Sequence, residues 1–260
     1  MSRFHAGWSL GTVAGALVGA AMVALDVPVT AHLIGAALVV AVVVPLATRS
    51  FVADVHEPAP DAGAPDARFR TADAWRERRT LLVGVFVLAF AFAEGAGNDW
   101  INVAMIDGYG QADTIGTLAF ATFLAAMTAG RWFGTALLDR RGRVPVVRAS
   151  AMVATVGVLV FAFGPTTWTA FVGVLLWGTG TALGFPVGMS AAADDPRRAA
   201  VRVSVVASIG YCAFLSGPPL IGFLAQGDAV RHALVVVAVL LAVAVLLAGV
   251  VRRPDDAPTA

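Results

Sequence analysis

The chain contains no lysine and a single cysteine, and only 13% of its 260 residues are charged. Cys212 can form no disulfide within the chain, and its place in an apolar run favours a packing role. The sequence also lacks a His-Glu-x-x-His pair, a serine nucleophile turn and a Gly-Lys phosphate loop. We therefore predict a protein that is not an enzyme and has neither a metal site nor a cofactor.

Apolar residues dominate the chain instead. They make up 58% of the sequence, and the mean hydropathy of +0.81 is far above that of a water-soluble domain. Eight runs are long enough to cross about 30 Å of hydrocarbon. They lie at 8–25, 31–47, 81–106, 114–138, 144–163, 168–190, 199–225 and 229–251. The sequence predicts an all-α polytopic membrane protein with about eight transmembrane helices and the lipid bilayer as its surroundings.

All 18 basic residues are arginine, and they are distributed unevenly. The short connections after the first, third, fifth and seventh runs contain Arg231 as their only arginine. The opposite side holds Arg3, six arginines within 49–79, four within 140–148, three within 197–202 and the pair Arg252 and Arg253. Because an arginine excess marks cytoplasmic loops, we predict a multi-pass inner-membrane protein with both termini in the cytoplasm. Topology accounts for the arginines, so no nucleic-acid partner is predicted.

The only long polar segment divides the chain into unequal parts. We predict two transmembrane helices within 1–50, a cytoplasmic linker at 51–80, six helices within 81–253 and a tail at 254–260. Within the linker, the sequence from Thr71 to Arg79 fits two descriptions equally well. It is either a short amphipathic helix on the lipid headgroups, with Trp75 at the interface, or a solvated charged loop.

The first apolar run differs from a signal peptide because it is long and other spans follow it. Its glycines recur at every fourth residue, at Gly7, Gly11, Gly15 and Gly19. This spacing places them on one face of a helix, where a neighbouring helix could approach closely. We therefore predict a retained, closely packed helix.

Polar residues interrupt the third run. Helical spacing places Glu94, Asn98 and Asn102 along one stripe, with Glu94 about 20 Å from the start of the span. A carboxylate at this depth either exchanges a proton during transport or makes a structural hydrogen bond to a neighbouring helix. Asp99 and Trp100 are further candidates for the substrate path, although an interfacial charge beside an aromatic belt residue explains them better.

Two later runs carry residues that disturb helices. Pro186 follows a series of glycines in the sixth run, and Gly217, Pro218 and Pro219 lie in the seventh. Proline removes a backbone donor and clashes with the preceding turn, so we predict bends or partial unwinding at both places. In the fourth run, Arg131 either extends its side chain towards the nearer membrane surface, which is the default, or pairs with a carboxylate.

The short turn after the fourth run carries a family resemblance. Gly134, Asp139, Arg140, Gly142 and Arg143 resemble the cytoplasmic loop signature of the major facilitator superfamily. In that family, the loop forms a charge relay between domains, which implies a cytoplasmic gating loop with Asp139 and Arg143 as its latch. The first glycine stands one residue further from the aspartate than in the usual signature.

The wider sequence is similar to a bacterial permease branch of the same superfamily. The resemblance rests on 5–11, Glu94 to Trp100, Phe185 to Ser190, and Gly217 to Gly222. It implies secondary transport of a sugar- or drug-like solute by alternating access, with protons as a candidate coupling ion. In this scheme Glu94 is the proton or substrate carboxylate, and Asn98 and Asn102 bind substrate.

The resemblance aligns the eight runs with two helices of the first six-helix half and the complete second half. We therefore expect a truncated chain that needs a missing N-terminal half or a homo-oligomer. The rival interpretation is a polytopic membrane protein that does not transport, such as a receptor, an accessory subunit or a decayed fragment.

Overall fold

The apolar runs form helices in the computed structural model of the protein. The structure describes residues 11, 14–15, 18–19, 21–22, 25–49, 66, 69–226 and 230–253. The chain divides into two compact units, Met1–Ala59 and Pro60–Ala260. In the first unit, the described positions between 11 and 22 are helical, and helix α1 spans Val29–Thr48 with no buried residue.

The second unit is a helical bundle. Its elements are α2 (Thr71–Ala74), α3 (Arg78–Val103) with a π-helical extension (Ala104–Gly108), α4 (Asp113–Arg141), α5 (Arg143–Phe163), α6 (Thr167–Thr181), α7 (Gly184–Ala192), α8 (Ala199–Leu224), α9 (Val230–Ala233), α10 (Val235–Leu247) and a 3₁₀ turn (Ala248–Val251). Helices α6 and α7 together form one membrane-length segment, as do α9, α10 and the 3₁₀ turn.

Six segments of the described residues are long and apolar enough to cross a membrane. They correspond to the second, third, fifth, sixth, seventh and eighth predicted spans. The fourth predicted span, α4, has 29 residues, but its mean hydropathy is too low for it to count among the six. Charged residues occupy its ends, and Arg131 lies in its interior. Much of the first predicted span lies outside the described residues. The prediction of an all-α polytopic membrane protein is therefore confirmed.

The glycine stripe of the first span has no helix packed against its described positions. A Cβ atom built at Gly11, Gly15 or Gly19 would meet no atom within 4 Å. A glycine stripe permits a neighbouring helix to approach closely, but it does not by itself attract such a helix. Gly7 lies outside the described residues, and the predicted close packing at this stripe stays a prediction.

Buried aromatic rings form the centre of the second unit. The Phe123 and Trp177 rings meet edge to face, with centroids 5.6 Å apart, and Phe161 lies 6.0 Å from the same indole. The indole N–H of Trp177 donates to the carbonyl oxygen of Ala93 at 3.2 Å, which satisfies a polar group that would be costly to leave unpaired in this interior. Trp177 therefore holds α6 against α3 near Glu94.

Helices α5 and α6 cross with their backbones in contact. A Cβ atom at Gly157 would lie 2.3 Å from the amide nitrogen of Trp177, and one at Gly173 would lie 2.5 Å from that of Phe161. Small residues allow this close approach. In lipid, the burial of apolar surface gives helices little driving force to associate, so close backbone packing matters more. The crossing positions α6, and therefore the start of α7, relative to the rest of the bundle.

Four segments of the second unit meet at one end of the bundle, which we call the arginine-rich end. They are 78–79, 140–143, 194–198 and 252–253. Arg79 and Arg143 both donate to Asp194, and Arg79 also donates to the carbonyl oxygen of Arg252. These four segments of the second unit, whose arginines the sequence assigns to one side of the membrane, therefore lie together.

At the opposite end of the bundle, Arg231 contacts several segments. It is the one arginine that the sequence places on that side of the membrane. Its guanidinium lies 4.3 Å above the Tyr109 ring and donates to the carbonyl oxygen of Gly164 at 3.1 Å. The Tyr109 hydroxyl donates to the carbonyl oxygen of Phe161. These contacts join the π-helical end of α3 to the turn between α5 and α6.

Candidate functional site

An ion pair inside the bundle joins α3 to α4. The Nη2 atom of Arg131 donates to both carboxylate oxygens of Glu94 at 2.9 Å. The two side chains are 23% and 17% exposed, so the pair is sheltered yet accessible. Such a pair satisfies two charges that would be costly to leave alone at this depth. The default extension of Arg131 towards the membrane surface is wrong, because a carboxylate on the neighbouring helix offers a better partner.

Arg131 also contacts the interrupted segment between α6 and α7. Its Nε donates to the carbonyl oxygen of Ala182 at 3.3 Å. Residue 186, four positions later, would normally donate its amide to this carbonyl, but proline has none. The regular helix is interrupted at Ala182 and Leu183, although both keep backbone dihedrals in the α region, and it resumes at Gly184. Pro186 thus leaves an acceptor free, and Arg131 connects that acceptor with Glu94.

The predicted polar stripe on α3 does not converge on one place. Asn98 is exposed, whereas the side-chain oxygen of Asn102 is buried with no hydrogen-bond partner in the described residues and lies against Gly116 of α4. The reason is that positions four residues apart on a helix differ by about 40°, so the stripe drifts by about 80° between Glu94 and Asn102.

Asp99 and Trp100 lie on another part of the α3 surface. Asp99 is exposed and has no ion pair with a described residue. Trp100 is half-buried beside Gly222 of α8, and its indole N–H has no partner in the described part of the chain. Neither residue contacts the Glu94–Arg131 pair, so a role for them in the substrate path stays a prediction.

The turn between α4 and α5 forms part of a cavity of about 450 Å³. Gly142 has φ +78°, a conformation that glycine adopts without strain and that permits the sharp turn. Gly134 is buried against the Leu183 side chain, whereas Arg140 is exposed. The cavity is lined by Thr135, Leu138, Asp139, Gly142, Arg143, Pro186, Val187, Ser190 and Arg253.

Arg143 does not pair with Asp139. It donates to Asp194 at 2.7 Å and to the hydroxyl of Ser190, which also lines the cavity, at 2.9 Å. Asp139 is exposed and makes no hydrogen bond to a described residue. Because Arg143 begins α5 beyond the turn, its side chain reaches the end of α7. The expectation that Asp139 and Arg143 act together therefore lacks a direct contact between them.

Helix α8 runs through Gly217, Pro218 and Pro219 without interruption. The chain does not unwind there, and the bend that the sequence predicts at these residues stays a prediction. Each proline ring already has a helical φ, and the turns on either side keep their hydrogen bonds. Gly217 places its Cα beside the Phe92 ring, so the glycine serves the contact between α8 and α3.

A second charged cluster at the arginine-rich end surrounds Glu77. Arg202 donates to both carboxylate oxygens at 2.6 and 2.8 Å, and the Thr80 hydroxyl donates at 2.6 Å. Burial alone would raise the pKa of Glu77. The hydrogen bonds from Arg202 and Thr80, with the charges of Arg202 and Arg198, outweigh it and hold the pKa below its usual value of 4.5.

This lowered pKa predicts a small acid-dependent loss of stability. Glu77 should stabilise the fold above its unfolded-state pKa, and this contribution should disappear as pH falls through the lower folded-state pKa. We expect Glu77→Gln to reduce the free energy of unfolding by about 1 kcal/mol at pH 7, because the glutamine oxygen still accepts from Arg202 and only the negative charge is lost. Chemical unfolding in detergent at pH 7 and at acid pH measures this. An equal deficit at both pH values would contradict the assignment.

The family model of the Major Facilitator Superfamily matches residues 1–208 and 100–260, which together span the whole chain. The chain belongs to the major facilitator superfamily. It is 31% identical over 257 residues to an uncharacterized transporter of Sinorhizobium fredii, covering 97% of this chain and 66% of that protein. It is 27% identical over 255 residues to an uncharacterized MFS-type transporter of Yersinia pestis, covering 97% of this chain and 64% of the relative. The chain thus spans about two thirds of the length of these curated relatives.

Solved structures of the superfamily show the same fold. Two crystal structures of the Escherichia coli fucose:proton symporter FucP, one of a point variant and one in the outward conformation, each superpose with a TM-score of 0.62 at 16% identity. The superpositions cover 68% of this chain and 45% and 44% of the symporter chains. This major facilitator chain is therefore a multi-pass membrane protein of a transporter family.

Sequence reasoning left the partner of Arg131 open and did not single out Asp194. The partner of Arg131 depends on how α3 and α4 pack, although an arginine within a predicted span already indicates a partner or an aqueous surface. Asp194 lies in the sequence Asp-Asp-Pro-Arg-Arg, which reads as an ordinary charged turn. Its low exposure and its two arginine partners result from how α3, α5 and α7 pack together in this chain.

Proposed function

We propose that the protein takes part in secondary active transport of a small polar solute by alternating access, with Glu94 as the proton-coupling carboxylate. The Glu94–Arg131 pair carries the proposal, because it places a titratable group inside the bundle within reach of solvent. Membership of a transporter family supports the transport function. The fold shared with a fucose:proton symporter supports a sugar-like solute and a proton as the coupling ion.

The contacts of Arg131 suggest how proton binding could alter the bundle. Protonation of Glu94 removes the charge that holds the Arg131 guanidinium. Arg131 also contacts Ala182, so release from Glu94 changes a restraint on the interrupted segment between α6 and α7. Interrupted helices are common places for binding and motion in transporters. Proton occupancy at Glu94 would thus influence the segment between α6 and α7, which leads to the cavity lined by Asp139 and Arg143.

The same proposal assigns the chain to the membrane. We place the arginine-rich end in the cytoplasm of a bacterial inner membrane, following the positive-inside bias. Residues 81–253 then form the second six-helix half, 1–50 belong to the first half, 51–80 are the linker and 254–260 the tail. The cavity beside Asp139 and Arg143 lies at the cytoplasmic mouth, where these residues form the gating loop.

Glu94→Gln tests the coupling role. The glutamine keeps the size of the side chain and its ability to accept from Arg131, but it does not titrate. In proteoliposomes of the full-length gene product loaded with a pH-sensitive dye, we expect L-fucose to cause proton movement with the wild-type protein. The variant should lose at least nine tenths of this movement and the pH dependence of labelled fucose uptake.

Asp113→Asn is the control, since it removes an exposed carboxylate at the start of α4. It should leave proton movement unchanged. Proton-coupled uptake with an unaltered pH profile in Glu94→Gln would rule out the proposed role of Glu94.

A further inference from the structure

A groove separates the start of α3 from the end of the last membrane segment at the arginine-rich end. Its volume is about 580 Å³. Four arginines rim it, and its remaining lining is apolar or glycine. The lining residues are Arg78, Arg79, Leu82, Gly249, Val250, Arg252 and Arg253. Among the residues that the structure describes, no carboxylate belongs to this lining, so the groove concentrates positive charge.

Three of the four guanidinium groups are available to a ligand. The side chains of Arg78, Arg252 and Arg253 belong to exposed residues and have no hydrogen bond or ion pair with any residue that the structure describes. Arg79 is different, because its guanidinium donates to Asp194 and to the carbonyl oxygen of Arg252. Arg79 therefore fixes the spacing of the two helix ends, and the other three arginines supply unused donors.

The position of the groove defines its surroundings. Arg78 is the first residue of a membrane-length segment, and Val251 is the last residue of another. Helix ends of this kind lie where hydrocarbon gives way to headgroups, and arginines there attract anionic lipid. Leu82 and Val250 lie on the hydrocarbon side of the arginines, along the two helices. The groove thus has apolar residues on its hydrocarbon side and four arginines on its headgroup side.

We propose that this groove binds an anionic glycerophospholipid. The phosphodiester would accept hydrogen bonds from Arg78, Arg252 and Arg253, since a planar guanidinium matches the oxygens of a phosphate. One acyl chain would lie in the groove along Leu82 of α3 and Val250 of the 3₁₀ turn. A bound lipid would connect the beginning and the end of the six-helix segment beside the contact that Arg79 makes. This site is separate from the Glu94–Arg131 pair.

Lipid titration of the purified full chain in a neutral detergent tests the proposal. Dioleoyl phosphatidylglycerol should bind saturably, measured by native mass spectrometry and by the rise in unfolding temperature. Dioleoyl phosphatidylcholine and inorganic phosphate should not substitute for it. The variant Arg78→Gln/Arg253→Gln should bind phosphatidylglycerol at least tenfold more weakly. Equal stabilisation by phosphate alone, or equal binding of phosphatidylcholine, would overturn the proposal.

A matched variant separates a defined site from diffuse charge. Arg148→Gln/Arg197→Gln also removes two exposed arginines but lies outside the groove, so its affinity should stay within twofold of wild type. A tenfold loss in this control would show that only total charge matters.

Gly249→Phe tests the groove without changing any charge. A Cβ atom at Gly249 meets nothing within 4 Å, so the fold can accept the ring, which would enter the groove. We expect at least a fivefold loss of phosphatidylglycerol binding with unchanged helicity. Full binding by this variant would also overturn the proposal.

Discussion

Replacing Arg131 with methionine is expected to lower the free energy of unfolding by about 3 kcal/mol, the lower end of the range for breaking a buried ion pair. Methionine keeps much of the side-chain length but leaves Glu94 without its bidentate partner and the Ala182 carbonyl without its donor. The partial exposure of the pair places the loss at this lower end. Equilibrium unfolding in detergent measures the change.

The double variant Glu94→Gln/Arg131→Met separates the pair from its parts. It leaves no unpaired charge, so its loss of stability should be smaller than the sum of the two single losses by at least about 1 kcal/mol. Arg140→Met removes an exposed arginine nine residues along the same helix, and it should stay within about 0.5 kcal/mol of wild type. Additive losses in the double variant would show that Glu94 and Arg131 do not stabilise each other.

The effect of Arg131 illustrates which features can be predicted from the sequence. Hydropathy runs and arginine placement predict membrane-length helices and their common end, because both depend on local composition and on lipid as the solvent. The pairing of Arg131 with Glu94 depends on the rotation of α3 against α4. That rotation is set by contacts such as the Phe123 ring beside Gly97, which no single span contains.

Proline gives a second example, because the same residue type has two outcomes. The helix divides before Pro186 but continues through Pro218 and Pro219. Before Pro186, Arg131 donates to the carbonyl that proline leaves unpaired. The sequence alone identifies the backbone N–H donor that each proline lacks. Whether another group donates to the unpaired carbonyl depends on the neighbouring helix.

Replacing Asp194 with alanine is expected to cost about 3 kcal/mol of unfolding free energy, because one carboxylate serves two arginines from distant parts of the chain. Its oxygens lie 2.9 Å from Arg79 and 2.7 Å from Arg143, and its side chain is 8% exposed. Without it, two guanidinium groups near the junction of α3, α5 and α7 lose their shared carboxylate. They keep only the Arg252 carbonyl and the Ser190 hydroxyl as acceptors. Unfolding in detergent measures the loss, which should shrink at high salt because counterions screen the repulsion.

Asp195→Ala is the matched control, one residue further along the same turn. Asp195 is 37% exposed, and its nearest guanidinium nitrogens, from Arg202 and Arg198, lie 3.4 and 4.0 Å away. Exposed pairs of this kind contribute less than about 1 kcal/mol, so the control should lose far less stability than Asp194→Ala. Equal losses in the two variants would assign the effect to the charge of the turn as a whole. A threefold difference would instead locate it in the shared carboxylate that joins the ends of three helices.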